Sequence, residues 1–293
     1  MSLSASLGYE TSGADHRHRK TNLDIVFARE IRIEKRIVNE TCVTFFCWSA
    51  RDDEALTRAC LSRLNESEQC KAWQFLHSRD RHRFAQRRAL HRWLQQRINE
   101  LHPLQFSWES KQPNVKTNGG HTSPDQPTLD SPRYAISWTT VGEISIAAVC
   151  EGASIGIDAE ISSSAIDFLS IAKEEFTVIE AGLIEARLRV ASGNREEAAF
   201  LDEARELFFR LWRLKEAGLK FFGQGLRQGL ASLCFKENDF GELVLIHHPM
   251  AWQQAPGLIP TFCEIDIFGL TLAVALPARD DESLRSPIAT TTP

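Results

Sequence analysis

The chain has 293 residues, with 34 Lys and Arg against 39 Asp and Glu, a formal net charge of −5. That mild acidity gives no electrostatic footprint for nucleic acid, and no apolar run approaches a membrane span, so neither partner is expected. Hydrophobic residues make up 43%, enough to fill one large core or two ordinary ones.

In chain order, residues 1–40 read as an N-terminal extension, partly disordered, with a basic cluster at His16–Lys20. Their end, "IVFAREIRIEKRIV", fits either a strand or a short helix. "TCVTFFCWSA", 41–50, is β-branched and aromatic and predicts a buried strand. Residues 52–97 carry helical periodicity: Leu56, Ala59, Cys60 and Leu64 share one face, and Phe84, Leu90, Trp93 and Leu94 another. "LQFSWESKQPNV" predicts a strand and a loop, and the Gly-, Pro- and Ser-rich stretch 116–133 a surface loop. "YAISWTT" and "EISIAAVC", separated by Val-Gly, predict a hairpin, and "SIGIDAEI", 154–161, another short strand. Helices follow to about residue 226, then strands, then a polar tail over 281–293. The order strand, helices, strands occurs twice. It predicts an α+β fold of two similar halves, 41–150 and 151–280. Seven scattered cysteines (Cys42, Cys47, Cys60, Cys70, Cys150, Cys234, Cys263) contain no C-x-x-C pair. They read as free thiols, several of them (Cys42, Cys47, Cys150) small core residues, and fit a reducing compartment. The first twenty residues lack the apolar segment of a secretory leader, so a cytoplasmic location is expected.

Two places carry candidate chemistry. In an extended "GIDAEI", Asp158 and Glu160 project to one face, with Ile157, Ala159 and Ile161 on the other. Two carboxylates so close raise each other's pKa unless a cation joins them, the logic of a Mg²⁺ site; a solvated edge strand is the alternative. The second place is "LFFRLWRLKEAGLKFFGQGL", 207–226. Leu207, Leu211, Leu214, Gly218 and Phe221 line one face, Phe208, Trp212 and Leu219 a flank, and Phe209, Glu216 and Lys220 the remaining strip. Glu216 and Lys220 are four apart and neighbours on that strip, either a functional pair or an ordinary solvent-facing one.

Together the two stretches resemble the signature of the 4′-phosphopantetheinyl transferases, G-[IV]-D-x-E followed about fifty residues later by F-x-x-x-W-x-x-K-E-x-x-x-K and G-x-G-L. Phe208, Trp212, Lys215, Glu216, Lys220, Gly223, Gly225 and Leu226 fill the second motif. The similarity extends to "QFLHSRDRHRFAQRRALHRWL" and to "TFCEIDIFGLTLAVALP", roughly residues 42–280. Length and the two-half pattern resemble the larger monomeric branch, typified by the surfactin synthetase activator. The resemblance implies a monomeric pseudo-dimer of two α+β halves with the active site in the cleft between them. It implies transfer of 4′-phosphopantetheine from coenzyme A to a serine of an apo acyl or peptidyl carrier protein, with release of adenosine 3′,5′-bisphosphate. It also implies that Asp158, Glu160 and Glu216 hold Mg²⁺, or Mn²⁺ in its place. Glu216 takes the serine proton and Lys220 steadies the pyrophosphate, while Lys215 has no assigned role beyond a helix-surface contact. Lys71, Arg83, Arg88, Lys111, Ser137 and Trp138 are the expected coenzyme A contacts. Of Arg87 and Arg88, about 100° apart on a helix, one at most is expected to face the cleft.

Two positions depart from the pattern. The family commonly has a histidine where this chain has Trp138, and a lysine where it has Gln112, with Lys111 one residue earlier as a substitute. Both lie on the nucleotide side and leave the metal side complete. They imply altered coenzyme A affinity; a homologue that binds without transferring, or a non-enzymatic interaction module, is the alternative. The carrier, whether from fatty acid, polyketide, nonribosomal peptide or amino-adipate metabolism, is not legible here.

Overall fold

The computed structural model describes residues 22–101, 134–189, 197–223, 229–249 and 259–278. Lys111, Gln112, the loop at 116–133, Gly225, Leu226 and the tail at 281–293 lie outside the described residues, as do residues 1–21 of the expected extension.

The fold is α+β. Helix α1 (Asn22–Glu30) leads into strand β1 (Arg32–Val38), which turns through Asn39 and Glu40 into β2 (Thr41–Ser49). The stretch before residue 41 thus contains both a helix and a strand, and it extends the N-terminal body back to residue 22. Three helices follow, α2 (Glu54–Leu61), α3 (Glu66–Trp73) and α4 (Ser78–Leu101). Asp53 caps α2, and Asn65 with Glu68 forms a capping box on α3. The predicted hairpin is β3 (Tyr134–Val141) and β4 (Ile144–Glu151), turning at Gly142 with φ 57°. These strands make a four-stranded antiparallel sheet in the order β1-β2-β4-β3.

The second body begins with β5 (Gly156–Ala159) and continues with α5 (Phe168–Glu175), α6 (Val178–Arg189) and α7 (Glu197–Phe221). A short 3-10 turn (Leu230–Ser232), β6 (Cys234–Glu237), β7 (Leu243–His247), β8 (Pro260–Ile267) and β9 (Leu270–Pro277) complete it. Its main sheet is antiparallel, in the order β5-β9-β8, with β6-β7 a separate pair.

The two sheets share a core. Val43, Phe45 and Cys47 of β2 and Ile146, Ala148 and Cys150 of β4 cluster with Ile157, Ala159, Leu272, Val274 and Leu276. The opposite faces are covered by helices: Trp48 by α1 and α4, Ala147 and Val149 by Leu94 and Ile98, Ala273 and Ala275 by α7. Burial on both faces is why "SIAAVC" reads as a continuous apolar run without alternation. Cys42 is exposed, unlike the core residue its run implied, because it sits opposite Ile37 of the outer strand on the face away from the core.

A hydroxyl seam joins β3 to β5. Ile157 N donates to Ser137 Oγ at 2.9 Å and Ala159 N to Thr139 Oγ1 at 3.3 Å. Both hydroxyls are buried. They satisfy the edge of β5 that β9 leaves open, so the strand bearing Asp158 is held on both sides.

Candidate active site

Gly156 sets how closely the site's two elements approach. A Cβ there would lie 1.9 Å from Ala217 O and 2.6 Å from Phe221 N, both backbone atoms of α7. Only glycine permits this contact of helix on strand. It puts Asp158 and Glu160, two and four residues on, beside Glu216 and Lys220 of α7. Ile161 lies past the end of β5 and is exposed instead of joining Ile157 and Ala159 in the core.

The charges of α7 then separate by role. Arg213 is buried and pairs with Glu264 of β8 at 3.1 Å. Lys215 is fully buried against Glu180, and no helix-surface contact is left to it. Phe209, expected on the polar strip, is buried in the second core. Glu216 and Lys220 alone of the strip face a cavity of about 630 Å³.

That cavity has two ends. Asp158, Glu160, Glu216 and Lys220 line one. Lys71 of α3, Arg87, Arg88 and His91 of α4, and Trp138 of β3 line the other. At the acidic end Asp158 is 3% exposed. Its Oδ1 accepts from Lys220 Nζ at 2.6 Å and from Thr139 Oγ1 at 3.0 Å, while its Oδ2 is buried with no hydrogen-bond partner among the described residues. Burial pushes the Asp158 carboxyl up against the pull of Lys220. Burial, with Asp158 and Glu216 nearby, pushes Glu160 up to about 7. Burial also raises Glu216, with Asp158 adding to the effect and Lys220 opposing it. Three acids held above their ordinary range in one wall make this a functional-site candidate.

The donor set fits a hard divalent cation: carboxylate oxygens, one of them buried and without a partner among the described residues. As they stand, no three His, Cys, Asp or Glu side chains among the described residues converge on one point. The Lys220 ammonium sits on Asp158 and supplies positive charge there. Lys220, expected at the pyrophosphate, is bonded to Asp158.

At the basic end the structure redistributes the expected contacts. Arg87 and Arg88 both line the cavity, because two long side chains 100° apart can still reach one space. Arg88 is held by Glu68 at 2.7 Å, and Arg92 joins the same carboxylate at 2.6 Å. Burial lowers the Arg87 pKa, and Arg88 lowers it further. Arg83 turns away: it pairs with Glu143 and Asp80 and lines neighbouring hollows. Ser137 is spent on the β5 seam and does not line the cavity. Trp138 does line it, with its ring 3.8 Å from that of His91. Burial, and then Arg88 and Arg87, push His91 down to about 3, so it is a neutral imidazole. Sequence reasoning missed Glu68, His91 and Thr139, and it expected at most one of Arg87 and Arg88 where both line the cavity. The spacing of Arg87, Arg88 and His91 on one helix was available as a signal; contact of His91 with Trp138 across 47 residues was not.

Residues 154–255 match the family model of the 4′-phosphopantetheinyl transferase superfamily. The match covers about a third of the chain and takes in β5, α5 to α7, β6 and β7, hence Asp158, Glu160, Glu216 and Lys220. No curated protein matches the chain at a significant level. The matched segment supports a phosphopantetheinyl transferase-like function, a family that uses coenzyme A to modify carrier proteins. No described helix is long and apolar enough to cross a membrane.

Proposed function

We propose that the chain transfers 4′-phosphopantetheine from coenzyme A to a serine hydroxyl of an apo acyl or peptidyl carrier protein. The observation that carries this reading is one cavity lined both by the carboxylates Asp158, Glu160 and Glu216 and by the cations Lys71, Arg87, Arg88 and Lys220, with the Trp138 indole among them. A polyanion with a heterocycle suits the basic end, and a pyrophosphate bridged to carboxylates by a cation suits the acidic end. On this reading the two α+β bodies are the halves of a pseudo-dimer, the cavity is the cleft between them, and the working unit is a cytoplasmic monomer.

Asp158, Glu160 and Glu216 would hold Mg²⁺ or Mn²⁺, which when bound neutralises charge on the pyrophosphate and polarises phosphorus. Glu216, its carboxylate made more basic by burial, accepts the serine proton. The serine oxygen forms a bond to the pantetheine-bearing phosphorus. The bond from that phosphorus to the bridging oxygen breaks, and adenosine 3′,5′-bisphosphate leaves. Lys220, a short reach from Asp158, steadies the charge that develops on the leaving oxygen. Arg87, Arg88 and Lys71 neutralise the nucleotide's phosphates, and Trp138 with His91 offers a flat surface to the base. The incubation that tests this is native chain, coenzyme A, Mg²⁺ and a panel of apo carriers, read by mass. A phosphopantetheine mass increment on one carrier supports transfer and points to the pathway. Coenzyme A binding with no increment on any carrier marks a non-transferring homologue.

Two further outcomes follow. Arg87→Ala is expected to raise the KM for coenzyme A roughly ten- to a hundredfold, with kcat within about twofold, because it removes a ground-state phosphate contact. An unchanged KM takes Arg87 out of the site. Thermal melts report the acidic end. The folded pKa of Glu160 is raised, so its stabilising contribution is present below about 4.5 and is lost as pH rises through about 7. Asp158 and Glu216 shift the same way. Millimolar Mg²⁺ is therefore expected to raise Tm at pH 8 and hardly at all at pH 5. An equal effect at both pH values counts against a carboxylate metal site.

A further inference from the structure

The most deeply buried ion pair among the described residues lies outside the cavity. The side chains of Lys215 and Glu180 are both 0% exposed, with Nζ and Oε2 2.7 Å apart. Lys215 Nζ also donates to Leu230 O at 2.9 Å and to Leu233 O. Glu180 accepts from Phe235 N at 2.9 Å, from Thr177 N at 3.0 Å and from the Thr177 hydroxyl at 2.7 Å. One pair therefore ties together α7, the start of α6, the 3-10 turn and β6. The ammonium has three protons and three fixed acceptors, so its position is fully determined.

Such a pair is a poor source of stability, since desolvation consumes much of the attraction and apolar replacements often do as well. What it does provide is a unique geometry. Lys215 precedes Glu216, which points about 100° away around the helix, into the cavity. Lys220, five residues on, reaches Asp158. A rotation of α7 by about 20° would move a carboxylate at the helix's outer radius by roughly 2 Å, and a misplacement of about 1 Å can cost a hundredfold in rate.

We infer that Lys215 is a positioning residue: pinned by Glu180, it fixes the rotation and axial register of α7, and so the placement of Glu216 and Lys220 in the cavity. This rests on the transferase reading. The basic end of the cavity is built on α3, α4 and β3, which the pair does not touch, so loss of the pair leaves nucleotide binding intact and harms turnover.

The test is steady-state kinetics of carrier modification, with thermal melts, on Lys215→Met, Glu180→Gln and the double variant, which leaves neither charge buried alone. The double variant is expected to fold, to melt a few degrees lower, and to lose about a hundredfold in kcat with the coenzyme A KM within about threefold. A kcat within twofold of native at a temperature where the variant is folded overturns the inference. So does a loss shared equally between kcat and KM. Failure of all three variants to fold assigns the pair to stability alone and overturns it too. A native chain inactive on every carrier overturns the transferase reading itself, and this inference with it.

Discussion

Asp158→Asn is expected to lower kcat/KM for carrier modification by about a thousandfold, near 4 kcal/mol of transition-state stabilisation. The size follows from what the carboxylate does. It is buried, its Oδ1 is bonded to Lys220 and Thr139, and its Oδ2 has no partner among the described residues. An amide keeps the Thr139 hydrogen bond and the shape. It removes the charge that holds Lys220, and it offers a cation one neutral carbonyl oxygen in place of a carboxylate. The same change is expected to leave Tm unchanged or to raise it, since burial opposes the ionised form of Asp158. Loss of activity with retained or improved stability is the signature of a residue kept for function. An Asp158→Asn protein within tenfold of native activity would remove this residue from the chemistry.

Gly156→Ala is the largest expected effect on folding, a loss of about 4 kcal/mol or more. The added methyl would meet Ala217 O at 1.9 Å and Phe221 N at 2.6 Å. Those are helix backbone atoms and cannot turn aside, so α7 must move off β5, carrying Glu216 and Lys220 with it. Two other glycines calibrate the claim. At Gly218 a Cβ meets Leu233 Cδ1 at 2.8 Å and the Phe262 ring at 3.1 Å, side-chain atoms that can shift, so Gly218→Ala is expected to cost roughly 1–3 kcal/mol. At Gly182, inside α6, nothing lies within 4 Å, and Gly182→Ala is expected to stabilise by about 0.5–1 kcal/mol. Chemical denaturation of the three variants should reproduce this order. A Gly156→Ala protein as stable as Gly218→Ala would mean that the close contact between β5 and α7 is not what the glycine serves.

Much of the site was legible because its residues lie in two short stretches, β5 with the residue after it and α7. The period of a strand puts Asp158 and Glu160 on one side, and the period of a helix puts Glu216 and Lys220 on one strip. Where sequence reasoning failed, the deciding contact was remote. Lys215 had no clear role until Glu180 and the carbonyls of Leu230 and Leu233 enclosed it. Ser137 looked like a ligand contact, and the edge of β5 claims it instead. Arg83 and Arg88 were equal candidates on α4. Glu143 draws one away and Glu68 holds the other at the cavity. Cys42 shared an apolar run with Cys47, yet strand alternation at the sheet's margin leaves one exposed and buries the other.

By itself, then, the sequence determined the α+β class, most of the strands and helices, and the four charged residues of the acidic end. Local periodicity and motif spacing depend only on near neighbours in the chain. The tertiary structure decided which of the expected side chains line the basic end, where α3, α4 and β3 meet and the ring of His91 lies 3.8 Å from that of Trp138. It alone showed why residue 156 must lack a side chain, and that Lys220 stands on Asp158. Those facts depend on distances between segments roughly 50 to 60 residues apart, which packing sets and no local pattern encodes.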